Sequence, residues 1–210
     1  MALLRAIWRI FPHSKAVYLL PVWLLLSGCV EEILPPREGA FPIIDDRRNP
    51  LVLIETTKGN MRVELFEDDA TNTVNYFIYL IENMPRVFWN QPVYYADDIR
   101  IEAGPRGAIA GFRIKKEVTR HGHKRYSLAV KGMSGGWLST DIVLTRADAF
   151  DLDKANTVIG RVIEGTSVVN KLQRGDRIRT IRVIRKRSHE YIPVAYGSPM
   201  RFSPYRRKRH

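Results

Sequence analysis

Between Leu51 and Asn83 the chain reads LVLIETTKGNMRVELFEDDATNTVNYFIYLIEN, and this stretch constrains the fold more than any other. A β-rich run from Leu51 to Thr57 meets Lys58-Gly59-Asn60, and an alternating run returns from Met61 to Phe66. Val63 and Leu65 fall on one face of that second run, Arg62 and Glu64 on the other. Glycine supplies the positive φ that a tight connection needs, so the pattern predicts a hairpin. Asp68, Asp69 and Thr71 then offer N-cap oxygens, and Val74, Phe77, Ile78 and Ile81 repeat at helical spacing. Hairpin, acidic turn and amphipathic helix together make a core-building unit. It carries no reactive chemistry of its own.

The net charge is +12 over 210 residues, but the excess sits at the ends. Residues 1–28 carry three bases and no acid, and residues 185–210 carry eight bases and one acid, Glu190. The body is close to neutral, which excludes a nucleic-acid footprint spread over the domain, and no nucleic-acid partner is expected. Residues 1–28 have the layout of a targeting segment: Arg5, Arg9 and Lys15, an apolar run from Ala16 to Leu26, then Ser27-Gly28. The run is short and contains Pro21, so it falls below the ~20 residues of a bilayer span. Leu26-Ser27-Gly28-Cys29 resembles the lipobox of bacterial lipoproteins, which implies that Cys29 is acylated and begins the mature chain. Cys29 is the one cysteine, so an internal disulfide and a cysteine-rich metal site are both excluded. Residues 29–50, with Pro35-Pro36, Pro42 and Pro50, read as a tether. The implied setting is the bacterial cell envelope, with a membrane-anchored lipoprotein facing the periplasm.

Beyond the helix, strands are expected at Val93–Tyr95, Ile99–Ala103, Tyr126–Lys131, Asp141–Thr145, Asn156–Ile163 and Ile178–Ile184. A short helix is expected over Thr166–Gln173, and Gly160 allows a close approach or a bulge. Many short strands, two helices and glycine turns favour an antiparallel barrel or sandwich with helical caps. Residues 188–210, with Pro193, Pro199 and Pro204, have no apolar period and read as a basic, disordered tail.

Several of these segments, in order, resemble the cyclophilin-type peptidyl-prolyl isomerases. Thr56-Thr57-Lys58-Gly59 with Val63–Phe66 resembles the first hairpin of that family, and Ala70–Leu80 its first helix. Ser127-Leu128-Ala129 looks like its Ser-Met-Ala strand. Leu152–Gly165, LDKANTVIGRVIEG, is similar to its Leu-Asp-Gly to Val-Phe-Gly run. The resemblance spans residues 51–187 and implies a mostly β fold: an eight-stranded antiparallel barrel capped by two helices. It also implies isomerase activity on Xaa-Pro bonds of proline-containing peptides or envelope proteins, with no cofactor. The departures fall at the groove. Val93-Tyr94-Tyr95 stands where the family has Phe-His-Arg, Thr140-Asp141-Ile142-Val143 where it has Ser-Gln-Phe-Phe, and Asn156 near its histidine. Trp137, Asp141, Ile142, Val143 and Asn156 are the implied substrate-binding positions.

Prolyl isomerisation needs neither nucleophile nor metal. Amide resonance sets a barrier of ~18–20 kcal/mol, lowered by holding the ring in an apolar pocket and donating to groups whose electrons shift in the twisted state. Losing one preorganised donor costs ~2.7–4 kcal/mol, so activity without the groove arginine is expected to be low or absent. Arg100 and Glu102, two apart on one strand face, are the candidate catalytic pair, Arg100 as a displaced donor steadied by Glu102. The competing reading of that pair is an exposed surface ion pair. A non-catalytic, membrane-anchored peptide- or protein-binding module that keeps the barrel as scaffold is the alternative function. His121-Gly122-His123 lacks an evident third ligand, so a solvated loop is expected there and no metal.

Overall fold

The computed structural model describes residues 49–107 and 113–196. Eight strands close into one antiparallel barrel: β1 (Leu51–Thr56), β2 (Gly59–Leu65), β3 (Gln91–Ala96), β4 (Arg100–Ala103), β5 (Ser127–Met133), β6 (Trp137–Thr145), β7 (Thr157–Glu164) and β8 (Arg177–Arg185). Around the barrel they run β1-β2-β7-β5-β6-β4-β3-β8, so β1 and β8, far apart in sequence, pair to close it. Helices α1 (Thr71–Asn83) and α2 (Thr166–Lys171) complete the fold. Closure satisfies every strand edge, which settles barrel over sandwich.

The opening hairpin pairs Thr56 with Gly59, so its turn is Thr57-Lys58, one residue earlier than the glycine suggests. Gly59 (φ +128°) follows the turn, and a Cβ there would stand 3.0 Å from Val168 of α2. Val63 and Leu65 point into the core as expected. Glu64 does not reach solvent: it is 2% exposed, because Arg161 lies opposite it on β7 and closes a 3.0 Å ion pair. Gly160 is the expected close approach, since a Cβ there would fall 2.3 Å from the Glu64 carbonyl oxygen.

Helix α1 buries Val74, Phe77, Ile78 and Ile81, the expected face. Its N-terminus is not capped by Asp68, Asp69 or Thr71; the N-cap is Ala70. Glu117, more than forty residues away, accepts the Asn72 and Thr73 amides at 3.1 and 2.6 Å and the Thr73 hydroxyl as well. A carboxylate there satisfies orphan donors and meets the positive end of the helix dipole. Asp68 instead pairs with Arg187 and Asp69 with Arg120 and His121.

Residues 188–196 pack on the barrel, which corrects the expectation of an unstructured tail for that part. Tyr191 is 5% exposed within the main core, and its hydroxyl donates to Glu67 at 2.8 Å. His189 bonds the other Glu67 oxygen at 2.6 Å. Val194 exchanges hydrogen bonds with the Asn72 side chain, and Tyr196 forms a bridge with Arg113. These anchors are polar and nonlocal, so no periodicity announces them. Cys29, the targeting segment and the Arg206–Arg209 run lie outside the described residues.

Candidate active site

Side chains alternate across each strand, and the outward set of β3, β4, β6 and β5 gathers the site. Tyr94 comes from β3, Arg100 and Glu102 from β4, Ser139, Asp141 and Val143 from β6, and Ala129 and Lys131 from β5. The register puts Val143 opposite both Glu102 and Ala129. Ala129, Val143 and Val158 therefore form a small apolar floor, with Phe66 and Leu152 packed over it. Leu152 belongs to a 3₁₀ turn, Phe150–Lys154.

Beside that floor stands a charged edge. The Glu102 carboxylate is shared: Arg100 Nε donates to Oε1 at 2.9 Å and the Lys131 ammonium to Oε2. Burial works to raise the pKa of Glu102, but the hydrogen bonds and charges of Lys131 and Arg100 outweigh it and hold the carboxyl below its ordinary value. Tyr94 lies 3.4 Å from Lys131 Nζ through its hydroxyl, with Arg106 over its ring. Burial, and then the charges of Asp141 and Glu102, push the Tyr94 phenol far up, so it stays a protonated donor at neutral pH. An open polar cleft of about 380 Å³ lies here, lined by Tyr94, Arg106, Lys131, Met133, Ser139 and Asp141.

Arg100 and Glu102 do share one face and one ion pair, but neither lines the cleft; Glu102 is joined to it through Lys131. The Arg100 guanidinium leans over the Tyr95 ring, 4.6 Å from its centroid. Ile142 corrects expectation outright: it sits in the barrel core, facing away from the groove. Val143 is on the groove face but lies beneath Leu152 and Phe66. Asp141 is buried, and its Oδ1 accepts the Arg106 amide at 2.7 Å, pinning the turn after β4. Burial pushes its carboxyl pKa up against that hydrogen bond. Asn156 is buried too, accepting the Gly132 amide at 3.1 Å. Gly132 is required there, because a Cβ would collide with the Ala155 carbonyl oxygen at 1.7 Å. Trp137 makes an edge contact with Tyr196, ring centroids 5.7 Å apart.

Sequence reasoning missed Lys131 and Arg106 as groove residues, and it placed Tyr94 at the groove without giving it a role. Lys131 is two residues beyond Ala129, so strand alternation could have put both on one face. Its meeting with Glu102 depends on a register between distant strands. The two loop histidines bind separate acids, His121 to Asp69 at 2.8 Å and His123 to Asp153. His123 is 0% exposed, so the loop is not simply solvated there. Among the described residues no group of three or more His, Cys, Asp or Glu side chains is placed to hold a metal ion.

A closed eight-stranded antiparallel barrel with two helices and a groove on its outer wall is a cyclophilin architecture. The chain belongs to the cyclophilin family: the model described as cyclophilin type peptidyl-prolyl cis-trans isomerase/CLD matches residues 51–188. A peptidyl-prolyl cis-trans isomerase of Helicobacter pylori (strain ATCC 700392 / 26695) is 32% identical over 142 residues, covering 61% of this chain and 83% of the relative. One from Synechococcus elongatus (strain ATCC 33912 / PCC 7942 / FACHB-805) is 24% identical over 140 residues, covering 63% and 94%. Among solved structures, a cyclophilin type peptidyl-prolyl cis-trans isomerase of Cryptosporidium parvum superposes with a TM-score of 0.58 at 18% identity, covering 66% of this chain and 99% of that one. At that identity the likeness concerns the fold.

Proposed function

We propose that this protein is a peptidyl-prolyl cis-trans isomerase of the bacterial cell envelope, acting at a reduced rate on Xaa-Pro bonds. Its substrates are proline-containing peptides or envelope proteins. The observation that carries the reading is an apolar floor of small side chains set directly beside cations held by one shared carboxylate. The partly exposed Phe66 and Leu152 packed against that floor offer a proline ring apolar surface, and an amide losing its resonance needs the cations. A C. parvum relative was crystallised in the presence of the dipeptide Ala-Pro, which fits that ligand class. The reduced rate follows from Val93-Tyr94-Tyr95, which carries no arginine where the family has one; losing one preorganised donor costs ~2.7–4 kcal/mol.

NMR exchange spectroscopy on an Xaa-Pro peptide, with and without the protein, tests this. Exchange enhanced above the uncatalysed rate supports it; no enhancement at any protein concentration refutes it. The non-catalytic binding reading is favoured by a separate observation: Leu152 and Phe66 lie over the floor, leaving the polar cleft open. That reading requires peptide binding with no exchange enhancement.

For location, the proposal is a lipid on Cys29 after removal of residues 1–28, holding the domain at a membrane surface through a proline-rich tether. No helix among the described residues is long and apolar enough to cross a membrane. Cys29→Ser should move the protein from the membrane fraction to the soluble fraction once the signal is removed. An unlipidated Cys29 in the native protein overturns the assignment.

A further inference from the structure

Three cations border the groove, and they are not equivalent. Arg100 is engaged twice, through Nε to Glu102 and through its face to Tyr95, and it is not among the residues lining the cleft. Arg106 is exposed, on the turn after β4, with its guanidinium over the outer face of the Tyr94 ring. Lys131 lines the cleft and reaches across to Glu102, which pairs in register with Val143 of the apolar floor. Ala129 is two residues from Lys131 on β5.

We propose that Lys131 is the catalytic donor to the twisting Xaa-Pro amide, and that Glu102 and Tyr94 are its positioning residues. This rests on the isomerase reading given above. An ammonium has three N–H donors. One goes to Glu102 and one points to the Tyr94 oxygen, with the ammonium 5.3 Å from the Tyr94 ring centroid, and the third is available to a ligand in the cleft that Lys131 lines. Arg100 and Lys131 share the Glu102 carboxylate, and Asp141 is a further acid facing Lys131 in the cleft. In the planar amide the nitrogen lone pair is delocalised and accepts no hydrogen bond. As the bond twists, conjugation is lost and the lone pair localises on nitrogen. A donor directed at that nitrogen is therefore stronger in the transition state than in the ground state, which accelerates the reaction without tightening substrate binding. No covalent bond forms or breaks, and the proton stays on the lysine.

The chemistry also states what replaces the family arginine. Tyr94 stands in the β3 stretch that carries it elsewhere, but here its neutral hydroxyl supports an ammonium from β5, on the far side of β4 and β6. The cation has moved from one strand to another. An ammonium lacks the planar fork of a guanidinium, so it offers one directed donor to the amide.

The test uses the full chain and an Xaa-Pro peptide, with exchange rates measured across peptide concentrations so that kcat and KM separate. Lys131→Met keeps the stem and removes the charge; it should lower kcat at least tenfold with KM within about twofold. Lys131→Arg should recover part of the lost rate. Arg100→Met should slow exchange by less than threefold. Glu102→Gln should reduce kcat in the native background and add nothing in the Lys131→Met background, the signature of a residue acting through another. Thermal melts of each variant separate lost folding from lost chemistry. If the native chain is active and Lys131→Met keeps its rate while Arg100→Met loses it, Arg100 is the donor and the proposal is overturned alone. A native chain with no exchange enhancement overturns the isomerase reading and this assignment with it.

Discussion

Replacing Tyr191 with alanine tests whether the segment after β8 is part of the folded domain. The ring is 5% exposed in the main core cluster, and its hydroxyl donates to Glu67, itself almost fully buried. Truncating a buried aromatic costs about 3–5 kcal/mol. Glu67 would keep His189 at 2.6 Å and Arg187 at 3.4 Å, so the carboxylate is not stranded and the loss should fall at about 3 kcal/mol. For a protein of this size each kcal/mol shifts the melting temperature by about 2–4 °C, which gives a drop of about 6–12 °C. Tyr191→Phe keeps the ring but removes the hydroxyl that donates to the Glu67 carboxylate and accepts the Arg187 amide at 3.0 Å, so it should cost about 1.5–3 kcal/mol. Circular dichroism melts of the three proteins at pH 7 measure both effects. A shift below about 2 °C for Tyr191→Ala would show that residues 188–196 contribute nothing to the barrel, and the core assignment of Tyr191 would be wrong.

Other outcomes can be checked by the same melts. The hydrogen bond of His189 to the Glu190 carbonyl, and its bond to Glu67, raise its pKa above the ordinary 6.5; its contribution should be full below that value and fade as pH rises through the raised one, so His189→Gln should flatten the profile above pH 6.5. Glu117→Ala strips the acceptor from two amides at the start of α1 and should cost about 1–2 kcal/mol, whereas an unchanged melt would mean water caps that helix equally well. Burial raises the Asp141 carboxyl above its ordinary 3.8, so its protonated form favours the fold. That contribution is lost as pH rises from 3.8 through the raised value, and Asp141→Asn should show no such loss and be no less stable than the native chain at pH 7.

The first hairpin and α1 were legible in the sequence because their information is local. A turn glycine between two β-rich runs and an i, i+3, i+4, i+7 apolar stripe are each written within a dozen residues; the hairpin turned one residue earlier than read, and the stripe is buried as read. The Leu152–Gly165 run likewise pointed to the family, and Gly160 within it is required here by the close approach of the Glu64 carbonyl. Tertiary structure alone decided where the charges went. Whether Ile142 or Val143 faces the groove depends on register, and a shift of one residue exchanges them. Glu64 and Glu67 look like solvent-facing acids until Arg161 from β7 and Tyr191 from beyond β8 arrive to bury them. Lys131 becomes a groove residue only because β4, β6 and β5 lie side by side, bringing Glu102 within reach across two strand pairings. A hydrophobic period is a property of neighbours along the chain, whereas an ion pair between distant strands is a property of the closed barrel.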